Sequence, residues 1–463
     1  TTLSAQTERF VRDRLPPRDQ WPELRYDLPE LRIADQANLV ERLLDGAAAR
    51  GWADRPLLRS PQITFTYAET RERVDRIANY LVHELKLEPG NRVLLRGGNS
   101  IGMALSWLAV VKAGLIAVAT MPLLRATELS KVIDKAQPVA AICDARLLQE
   151  LEQPQQAFPA LQHVLRFNSP DDPSDLGQLV AHQAATFTAC PTSADDIALL
   201  AFTSGTTGAP KAVVHTHRDV LAACEAWPRH VLRPVPDDIV TGSPPLAFTF
   251  GLGGLLLFPM WAGASIYYPD ANYNPETMVR QMREQGVTTC YTSPTFYRQL
   301  APHMKAIGVP SLRTCVSAGE ALPDATRQLW KQATGIEMLD GIGATEMFHI
   351  FISSAGADVR RGAVGKVVPG YHAKVVDEQG AEVPRGTVGK LAVIGPTGCR
   401  YMDDERQRRY VPDGWNRPGD AFVQDEDDYF HYQARDDDMI ITSGYNVGGP
   451  EVEDCLLTHP AVA

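Results

Sequence analysis

The feature that most constrains the fold is an alternation of short apolar runs with longer helical patterns. In residues 64–122 the strand-like runs "NRVLLRG" and "LIAVATMP" alternate with the helical stretches "YAETRERVDRIANYLVHEL" and "SIGMALSWLAVVKAG". The same rhythm returns after residue 217, with a helix predicted over 275–285 and strands at "DIVTGSP", "VTTCYTSP" and "LRTCVSAGE". Strands that alternate with helices indicate a mostly parallel sheet with helices on its faces. The sequence therefore predicts an α/β protein.

A second pattern begins at about residue 362, where short strands are separated by glycine turns, as in "GAVGKVVPGYHAKVVDEQGAEVPRGTVGKLAVIG". This pattern predicts a smaller antiparallel β unit. The chain has 463 residues, which is too long for one simple core. We predict a large N-terminal domain over 1–434, with α/β subdomains to about 361 and the β unit over about 362–434. Residues 435–463 are expected to be a hinge and the incomplete beginning of a small C-terminal α+β domain.

Composition excludes several classes of partner. The chain is 44% hydrophobic and 22% charged, as is typical of soluble globular proteins. Its net charge of −11, without any Lys/Arg-rich run, argues against a nucleic-acid or anionic membrane surface as partner. The 7 cysteines are scattered without a CxxC pair, which indicates reduced thiols in a cytoplasmic protein and no zinc site. A polar N-terminus without a secretory signal agrees with that compartment.

One segment, residues 239–269, carries no charge and invites comparison with a membrane span. Glycines and prolines interrupt it, however, and it lacks flanking basic anchors. We therefore expect a buried core helix followed by a loop that faces a ligand.

The loop "TSGTTGAPK" (203–211) is rich in small hydroxyl and glycine residues and lies between the strand-like runs "DIALLAFT" and "KAVVHTH". Its strand–loop–strand setting and its spacing differ from those of a Walker P-loop. Glycines let backbone N–H groups converge on an anion, hydroxyl groups add donors, and Lys211 adds a mobile positive charge. A glycine-rich hairpin without a ligand is the simpler alternative. His215 and His217, on one strand face without further ligands, are expected to be packing or surface residues rather than a metal pair.

Three further motifs follow in order: "DGIGATEMFHIF" (340–351), "RPGDAF" (417–422) and "ARDDDMIITSGYNVGGPEVE" (434–453). Taken singly, each has a plain structural interpretation, namely a helix-capping Thr-Glu pair, a Pro-Gly-Asp turn and a solvated charge run. Together with "TSGTTGAPKAVVHTH" they resemble the signatures of the adenylate-forming superfamily, which contains acyl-CoA synthetases, peptide-synthetase adenylation domains and luciferases. The resemblance extends over essentially the whole chain.

The resemblance implies a ligase that joins a carboxylate to AMP, releases pyrophosphate, and passes the acyl group to coenzyme A. ATP, Mg²⁺ and coenzyme A are the implied cosubstrates and cofactor. Lys211, Thr345 and Glu346 are the implied catalytic residues, with Glu346 as the Mg²⁺ ligand. "SAGEALP" resembles the segment that lines the adenine, and Asp420 is expected to accept hydrogen bonds from the ribose hydroxyls. The full set expected to bind ATP or AMP is Thr203, Ser204, Gly205, Thr206, Thr207, Gly208, Gly319, Glu320, Ala321, Asp340, Gly341, Ile342, Thr345, Asp420 and Arg435.

The resemblance also implies that the acid is aromatic, of the 2-aminobenzoate or benzoate type. Most family members carry Tyr where this chain has Ile342, and "DGIGATEMFHIF" resembles the version found in benzoate and 2-aminobenzoate CoA ligases. Phe250 occupies the position of the family's aromatic gate, and His349 is expected near the carboxylate. A flat ring suits such a pocket. Its expected walls are Phe248, Phe250, Gly251, Tyr291, Ser293, Gly343, Phe348 and His349.

Asp437 falls at the family's hinge, and Gly444 falls where the family leaves room for the pantetheine arm of coenzyme A. The family's second lysine would lie beyond Ala463, so we expect weak adenylation from this chain and a longer natural protein. Two alternatives stay open: an adenylation domain that loads an aromatic acid onto a carrier protein, and a non-catalytic nucleotide-binding regulator. We expect a small aromatic carboxylic acid, ATP and coenzyme A as partners, and a monomer or homodimer that binds neither nucleic acid nor membrane.

Overall fold

The structure, a computed structural model, describes residues 3–203, 209–270, 272–435, 440–442, 445–447, 449–457, 459 and 462. The α-helices, numbered in chain order, are α1 (Leu39–Leu43), α2 (Tyr67–Asn79), α3 (Ile101–Lys112), α4 (Ala126–Ala136), α5 (Gln149–Ala157), α6 (Leu176–Leu179), α7 (His217–Glu225), α8 (Thr249–Leu252), α9 (Phe258–Ala262), α10 (Pro275–Gln285), α11 (Pro294–Ile307), α12 (Asp324–Thr334), α13 (Gln407–Tyr410) and α14 (Gly449–Leu457). Short π-helical turns cover Tyr80–Glu84, Pro228–Leu232 and Gly253–Leu257, and a 3-10 turn covers Thr345–Met347.

The strands are β1 (Pro56–Arg59), β2 (Thr64–Thr66), β3 (Arg92–Arg96), β4 (Ile116–Thr120), β5 (Ala140–Asp144), β6 (His163–Phe167), β7 (Ile197–Thr203), β8 (Lys211–Thr216), β9 (Ile239–Gly242), β10 (Ser265–Tyr267), β11 (Thr289–Thr292), β12 (Thr314–Ser317), β13 (Leu339–Gly343), β14 (Ile350–Ser354), β15 (Lys366–Val367), β16 (His372–Val376), β17 (Val388–Ile394), β18 (Asp420–Gln424), β19 (Phe430–Arg435), β20 (Ile440–Thr442) and β21 (Tyr445–Val447).

A six-stranded sheet has the order β6-β5-β3-β4-β7-β8. Its first five strands run parallel, and β8 returns antiparallel to β7. β3 and β5 are buried along their whole length, as expected for parallel strands covered by helices on both faces. The predicted strand–loop–strand setting of the 203–211 loop is therefore confirmed.

A nine-stranded sheet has the order β15-β14-β13-β12-β11-β9-β10-β1-β2. The strands from β13 to β1 run parallel, and the antiparallel pairs lie at the two ends. In open sheets of this kind, ligands bind beyond the carboxyl ends of the parallel strands. The segments that follow β11, β12 and β13 therefore meet at one edge, and they contain several of the predicted site residues.

A separate four-stranded antiparallel sheet, β16-β17-β18-β19, confirms the predicted β unit. It begins at His372, because β15 pairs with β14 and so belongs to the nine-stranded sheet. In this sheet Asp420, the first residue of β18, lies opposite Arg435, the last residue of β19. The sheet thus presents these two predicted nucleotide-binding residues side by side.

Local sequence explains where the helices begin and end. Thr66 and Glu69 form a reciprocal capping box at the start of α2, and Asn274 does the same with Thr277 at the start of α10. The predicted helix over 275–285 is confirmed with those bounds. Gly286 ends α10 in the left-handed conformation that glycine adopts without a steric penalty.

The uncharged segment 239–269 contains β9, α8, the π-helical turn, α9 and β10, and nearly all of it is buried. The expected single core helix is thus split into short helical pieces between two strands. Over the described part of the chain, no helix has the length and apolar character that a membrane span requires.

Candidate functional site

Lys211 is the first residue of β8 and lies directly opposite Thr203, the last residue of β7. Between them, the predicted phosphate-binding residues 204–208 lie outside the described residues. The antiparallel hairpin places the lysine at the exit of that loop. Lys211 is therefore fixed at its base by strand pairing while its long side chain extends toward the segment that follows β13.

The side chains of Lys211, Tyr401 and Glu346 meet at the ammonium group of the lysine. The Tyr401 hydroxyl donates a hydrogen bond to Oε1 of Glu346 at 2.5 Å. Nζ of Lys211 donates to the Tyr401 hydroxyl oxygen at 3.1 Å and lies 3.6 Å from the same Glu346 oxygen. Burial and the Glu346 carboxylate raise the pKa of Tyr401 well above its ordinary value, so its phenol keeps its proton and donates it. The cluster joins the predicted catalytic Lys211 and Glu346 through a residue that the motifs did not identify.

The backbone of Thr345 contacts His215, the first of three buried side chains that lie one behind the other. Nε2 of His215 lies 2.6 Å from the Thr345 carbonyl oxygen, and since a carbonyl only accepts, Nε2 is the donor. Nδ1 of His215 lies 3.6 Å from Oδ2 of Asp219, and the Arg400 guanidinium donates to that same oxygen. Burial alone would raise the pKa of Asp219, but Arg400 and His215 outweigh it and lower that pKa. A buried carboxylate, paired with the Arg400 guanidinium, thus lies beside the histidine that contacts Thr345.

The Arg400–Met402 segment runs beside β8. The Val214 N–H donates to the Arg400 carbonyl at 2.8 Å, and the Met402 N–H donates to the Ala212 carbonyl at 2.9 Å. Successive side chains of an extended segment point to opposite sides. Arg400 therefore reaches the Asp219 carboxylate behind His215, while its neighbour Tyr401 reaches the carboxylate of Glu346.

A cavity of about 300 Å³ lies beyond the ends of β12 and β13, beside the four-stranded sheet. Gly319, with a φ of +89°, makes the turn after β12 in a conformation that favours glycine. Of the predicted nucleotide-binding residues, the structure places these around the cavity: Gly319, Glu320, Ala321, Asp340, Gly341, Ile342, Asp420 and Arg435. The cavity is also lined by residues that the sequence did not predict to bind nucleotide, among them Arg327 and Tyr432.

Asp340 is the carboxylate buried in the wall of this cavity. Its Oδ1 accepts a hydrogen bond from the Gly341 N–H at 2.9 Å. Burial raises the pKa of Asp340 to about 7, although Arg327 and the Gly341 N–H act in the opposite direction. Near neutral pH this group is therefore present in both its charged and its protonated form.

Asp420 and Arg435 close the other side of the cavity. Nη1 of Arg435 lies 3.2 Å from Oδ1 of Asp420, as their opposite positions in β18 and β19 allow. Asp420 is buried, while about half of the Arg435 side chain is exposed. An acceptor-only carboxylate beside a guanidinium suits a ligand with neighbouring hydroxyl and phosphate groups.

A cluster of aromatic rings packs around the buried His349, which follows the 3-10 turn by two positions. The centroid of its ring lies 4.6 Å from that of Phe258, 5.3 Å from Trp227 and 5.4 Å from Phe250. Tyr291 completes the cluster, 5.9 Å from Phe250 and 6.3 Å from Trp227. The cluster offers flat apolar faces that suit an aromatic ligand.

The predicted pocket residues have different environments. Phe250, Tyr291 and His349 are brought together in the aromatic cluster, whereas the Phe348 ring packs edge-on against His215, with centroids 5.4 Å apart. Phe248 is 43% exposed at the start of α8.

The other three predicted pocket positions, Ser293, Gly251 and Gly343, stabilise or permit the local backbone conformation. The Ser293 side chain caps α11 by accepting a bond from the Phe296 N–H. Gly251 allows a close backbone approach, because a Cβ there would lie 2.1 Å from the Pro245 carbonyl oxygen. Gly343 does the same beside the His349 carbonyl, at 2.6 Å. The predicted hinge and coenzyme A positions, 437 and 444, lie outside the described residues.

Tyr401, Trp227 and Phe258 join the site although sequence reasoning did not select them. Each lies in a segment without a phosphate-binding or acid-binding signature, and only the fold brings it to the site. The only local sequence features near Phe258 are the proline that follows it and the surrounding aromatic and apolar residues, and this pattern is equally typical of a hydrophobic core. His215 was expected to pack or to face solvent, and the structure places it in the core in contact with Thr345.

Comparison with known proteins shows the family to which the chain belongs. The family model described as "AMP-binding enzyme" matches residues 46–400. The benzoate–CoA ligase of Thauera aromatica is 32% identical over 439 residues, which cover 94% of this chain and 83% of that protein. The 3-hydroxybenzoate–CoA ligase of Aromatoleum sp. (strain CIB) is 31% identical, with 92% of this chain and 82% of that protein covered.

Among solved structures, an anthranilate CoA ligase, AuaEII, in complex with anthranoyl-AMP superimposes with a TM-score of 0.88 at 32% identity. The match covers 94% of this chain and 85% of that one. The predicted family, the α/β fold class and the enzyme class, an AMP-forming acid–thiol ligase, are confirmed. The chain belongs to the AMP-binding enzyme family, which is the adenylate-forming superfamily.

Proposed function

We propose that the chain is an ATP-dependent aryl-CoA ligase that activates a benzoate-type acid, with or without an amino or hydroxyl substituent, as its acyl-AMP. The observation that carries the proposal is the position of the aromatic cluster. His349 follows Glu346 by three residues, and Glu346 is the carboxylate that Tyr401 and Lys211 hold. A ring seated among Phe250, Tyr291 and His349 would therefore have its carboxylate close to the phosphate-binding residues.

In the first half-reaction a carboxylate oxygen of the acid attacks the α-phosphorus of ATP. The bond between that phosphorus and the bridging oxygen of pyrophosphate breaks, and pyrophosphate leaves. Charge accumulates on the phosphate oxygens, so fixed donors stabilise the transition state. Lys211 is the cation that supplies this stabilisation, and the strand pairing of its backbone at the loop end of the hairpin spares reorganisation during the reaction.

Mg²⁺ fits the chemistry of the residues that are present. In the described part of the chain, no group of three or more His, Cys, Asp or Glu side chains could hold a metal ion. Glu346 alone offers a carboxylate beside Thr345, which matches an ion that takes most of its ligands from phosphates and water. When bound, Mg²⁺ would neutralise charge on the phosphates of ATP. Glu346 would hold it, and Tyr401 would keep that carboxylate in place.

The nucleotide is proposed to occupy the cavity of about 300 Å³. Its adenine would lie against Gly319 and the wall of the cavity that contains Asp340. Its ribose hydroxyls would donate to Asp420. In the second half-reaction the thiolate of coenzyme A attacks the acyl carbon, and AMP leaves with the electrons of the broken bond. The proposed hinge at 437 and pantetheine position at 444 belong to this step, as does the proposed division into domains at about residue 434.

The test is pyrophosphate release from ATP with a panel of aromatic and aliphatic acids. We expect release with at least one benzoate and little with acetate, butyrate or hexanoate. Release with aliphatic acids but not with aromatic ones would overturn the proposal. Release with aromatic acids that yields no product with free coenzyme A would instead identify a carrier-protein-loading enzyme, and nucleotide binding without release would identify a regulator.

A further inference from the structure

Three buried polar atoms of the aromatic cluster have no hydrogen-bond partner among the described residues. They are Nε1 of Trp227, the hydroxyl of Tyr291 and Nδ1 of His349. The three side chains are at most 4% exposed. Buried polar atoms are nearly always hydrogen-bonded, and an unpaired one is costly. Three in one aromatic cluster therefore point to a bound group that pairs with them.

Whether each of the three atoms donates or accepts a hydrogen bond follows from its chemistry. Nε2 of His349 lies 3.1 Å from the Phe250 carbonyl oxygen, which can only accept, so Nε2 carries the proton. Burial lowers the pKa of His349 to about 3, so the ring is neutral and Nδ1 is a bare acceptor. Burial raises the pKa of Tyr291 well above its ordinary value, so its hydroxyl stays protonated and can both donate and accept. Trp227 Nε1 can only donate.

Two consecutive glycines give these rings their positions. A Cβ on Gly253 would lie 2.6 Å from Cδ2 of His349, and a Cβ on Gly254 would lie 2.6 Å from Cε1 of Tyr291. Real side chains do not approach this closely, so both rings occupy space that only glycine leaves open. The two polar rings are therefore built into the helical segment that also carries Phe250 and Phe258.

We propose that His349 Nδ1, with the Tyr291 hydroxyl and the Trp227 indole, forms a subsite for a hydrogen-bond-donating substituent on the ring of the acid, a phenolic hydroxyl or an aromatic amine. The inference rests on the proposed function and adds the substrate class. Unsubstituted benzoate would leave all three atoms unpaired, and a fluoro substituent would offer Nδ1 no proton. A site built to pair with a polar group discriminates strongly against an analogue that lacks it.

The experiment compares kcat/KM for pyrophosphate release across the 2-, 3- and 4-isomers of aminobenzoate, hydroxybenzoate and fluorobenzoate, with benzoate, ATP, Mg²⁺ and coenzyme A. The fluorobenzoates are the controls of similar size that lack a donor. We expect one amino or hydroxy isomer to exceed benzoate and its fluoro counterpart by at least about ten-fold. The better of the amino and hydroxy series identifies the substituent.

The same ratio is then measured in His349→Phe and Tyr291→Phe, which keep a ring and remove a polar atom. A ratio of two substrates in one enzyme preparation does not depend on how much of the protein is folded. We expect His349→Phe to reduce the preference to about two-fold or less, mainly through KM, and Tyr291→Phe to reduce it in part. Tyr297→Phe is the control, because the Tyr297 hydroxyl donates to the Cys290 and Val316 carbonyls in a different cluster and should leave the ratio unchanged.

Equal or better rates with benzoate or a fluorobenzoate, or an unchanged ratio in both variants, would overturn the inference while leaving an aryl-CoA ligase in place. Failure of every aromatic acid alongside activation of aliphatic acids would instead overturn the proposed function itself.

Discussion

The Tyr401 hydroxyl is hydrogen-bonded to Oε1 of Glu346 at 2.5 Å, and the two residues are 55 positions apart in the chain. Lys211 approaches the same pair, at 3.1 Å from the phenol and 3.6 Å from the carboxylate. The proposed role of Glu346 in holding Mg²⁺ requires a fixed orientation of its carboxylate, and the phenol supplies a donor that stays protonated. Tyr401 is therefore a positioning residue for Glu346.

We expect Tyr401→Phe to raise the Mg²⁺ concentration needed for half-maximal pyrophosphate release and to lower kcat/KM for ATP about ten-fold. A ten-fold change is about 1.4 kcal/mol, close to the lower end of the roughly 1.5–3 kcal/mol typical of a hydrogen bond to a charged group. Steady-state kinetics at several Mg²⁺ concentrations would measure it. Tyr410→Phe is a matched control, because the Tyr410 ring packs 5.6 Å from Tyr401 and its hydroxyl has no partner among the described residues. Equal kinetics for the two variants would contradict a positioning role.

Lys211→Met should lower the adenylation rate by about 10²–10³-fold, because it removes a cation directed at developing phosphate charge. Transfer of the acyl group to coenzyme A from a chemically prepared aryl-AMP should change much less, because no pyrophosphate leaves in that step. Stopped-flow measurement of each half-reaction separates the two effects. The exposed Lys305 on α11 gives the control substitution Lys305→Met. Equal losses in both half-reactions would argue against this role.

Arg400→Met should destabilise the fold, because Asp219 would keep a buried charge without its main partner. Removing one member of a buried ion pair typically costs about 3–5 kcal/mol in the free energy of unfolding. Urea denaturation would measure the loss, and adding Asp219→Asn should recover more than half of it. If the double variant were as unstable as the sum of both single ones, the two residues would not be coupled.

The raised pKa of Asp340 implies that the free energy of unfolding changes with pH in a definite direction. Between about pH 4 and pH 7 its carboxyl ionises in the unfolded chain but stays protonated in the fold, so its contribution lowers the free energy of unfolding as pH rises. Asp340→Asn removes this effect and keeps an acceptor for the Gly341 N–H. The gain in stability from the substitution should be larger at pH 8 than at pH 5 by on the order of 2 kcal/mol. Urea titrations at both pH values measure it, and a gain that does not vary with pH would contradict the assignment.

The sequence was informative wherever a function requires a contiguous signature. The parallel α/β architecture followed from hydrophobic periodicity, and Lys211, Glu346, Asp340 and Asp420 were proposed because the segments 203–211, 340–351 and 417–422 resemble family signatures. In the structure Asp340 and Asp420 line one cavity, and Lys211 and Glu346 meet beside one hairpin. Periodicity reports which residues are buried, and motifs report local chemistry, so both signals are confined to short stretches.

Neither periodicity nor motifs predict contacts between segments that are distant in the sequence. Tyr401 reaches Glu346 because the Arg400–Met402 segment pairs with β8, a register that no local pattern encodes. Trp227 joins His349 through packing of a π-helical turn, and its indole looks like any core tryptophan in the sequence. Phe248, just before α8, is 43% exposed, whereas Phe250 packs against His349, a difference that the sequence pattern does not encode.

The most direct test of the account is mass-spectrometric detection of the thioester formed by the purified protein from ATP, Mg²⁺, coenzyme A and a benzoate that it activates. The account predicts an aryl-CoA product with one AMP and one pyrophosphate for each thioester, and strong loss of all three in Lys211→Met. Formation of ADP and phosphate instead, or ATP binding without any thioester or pyrophosphate across the panel of aromatic acids, would contradict it.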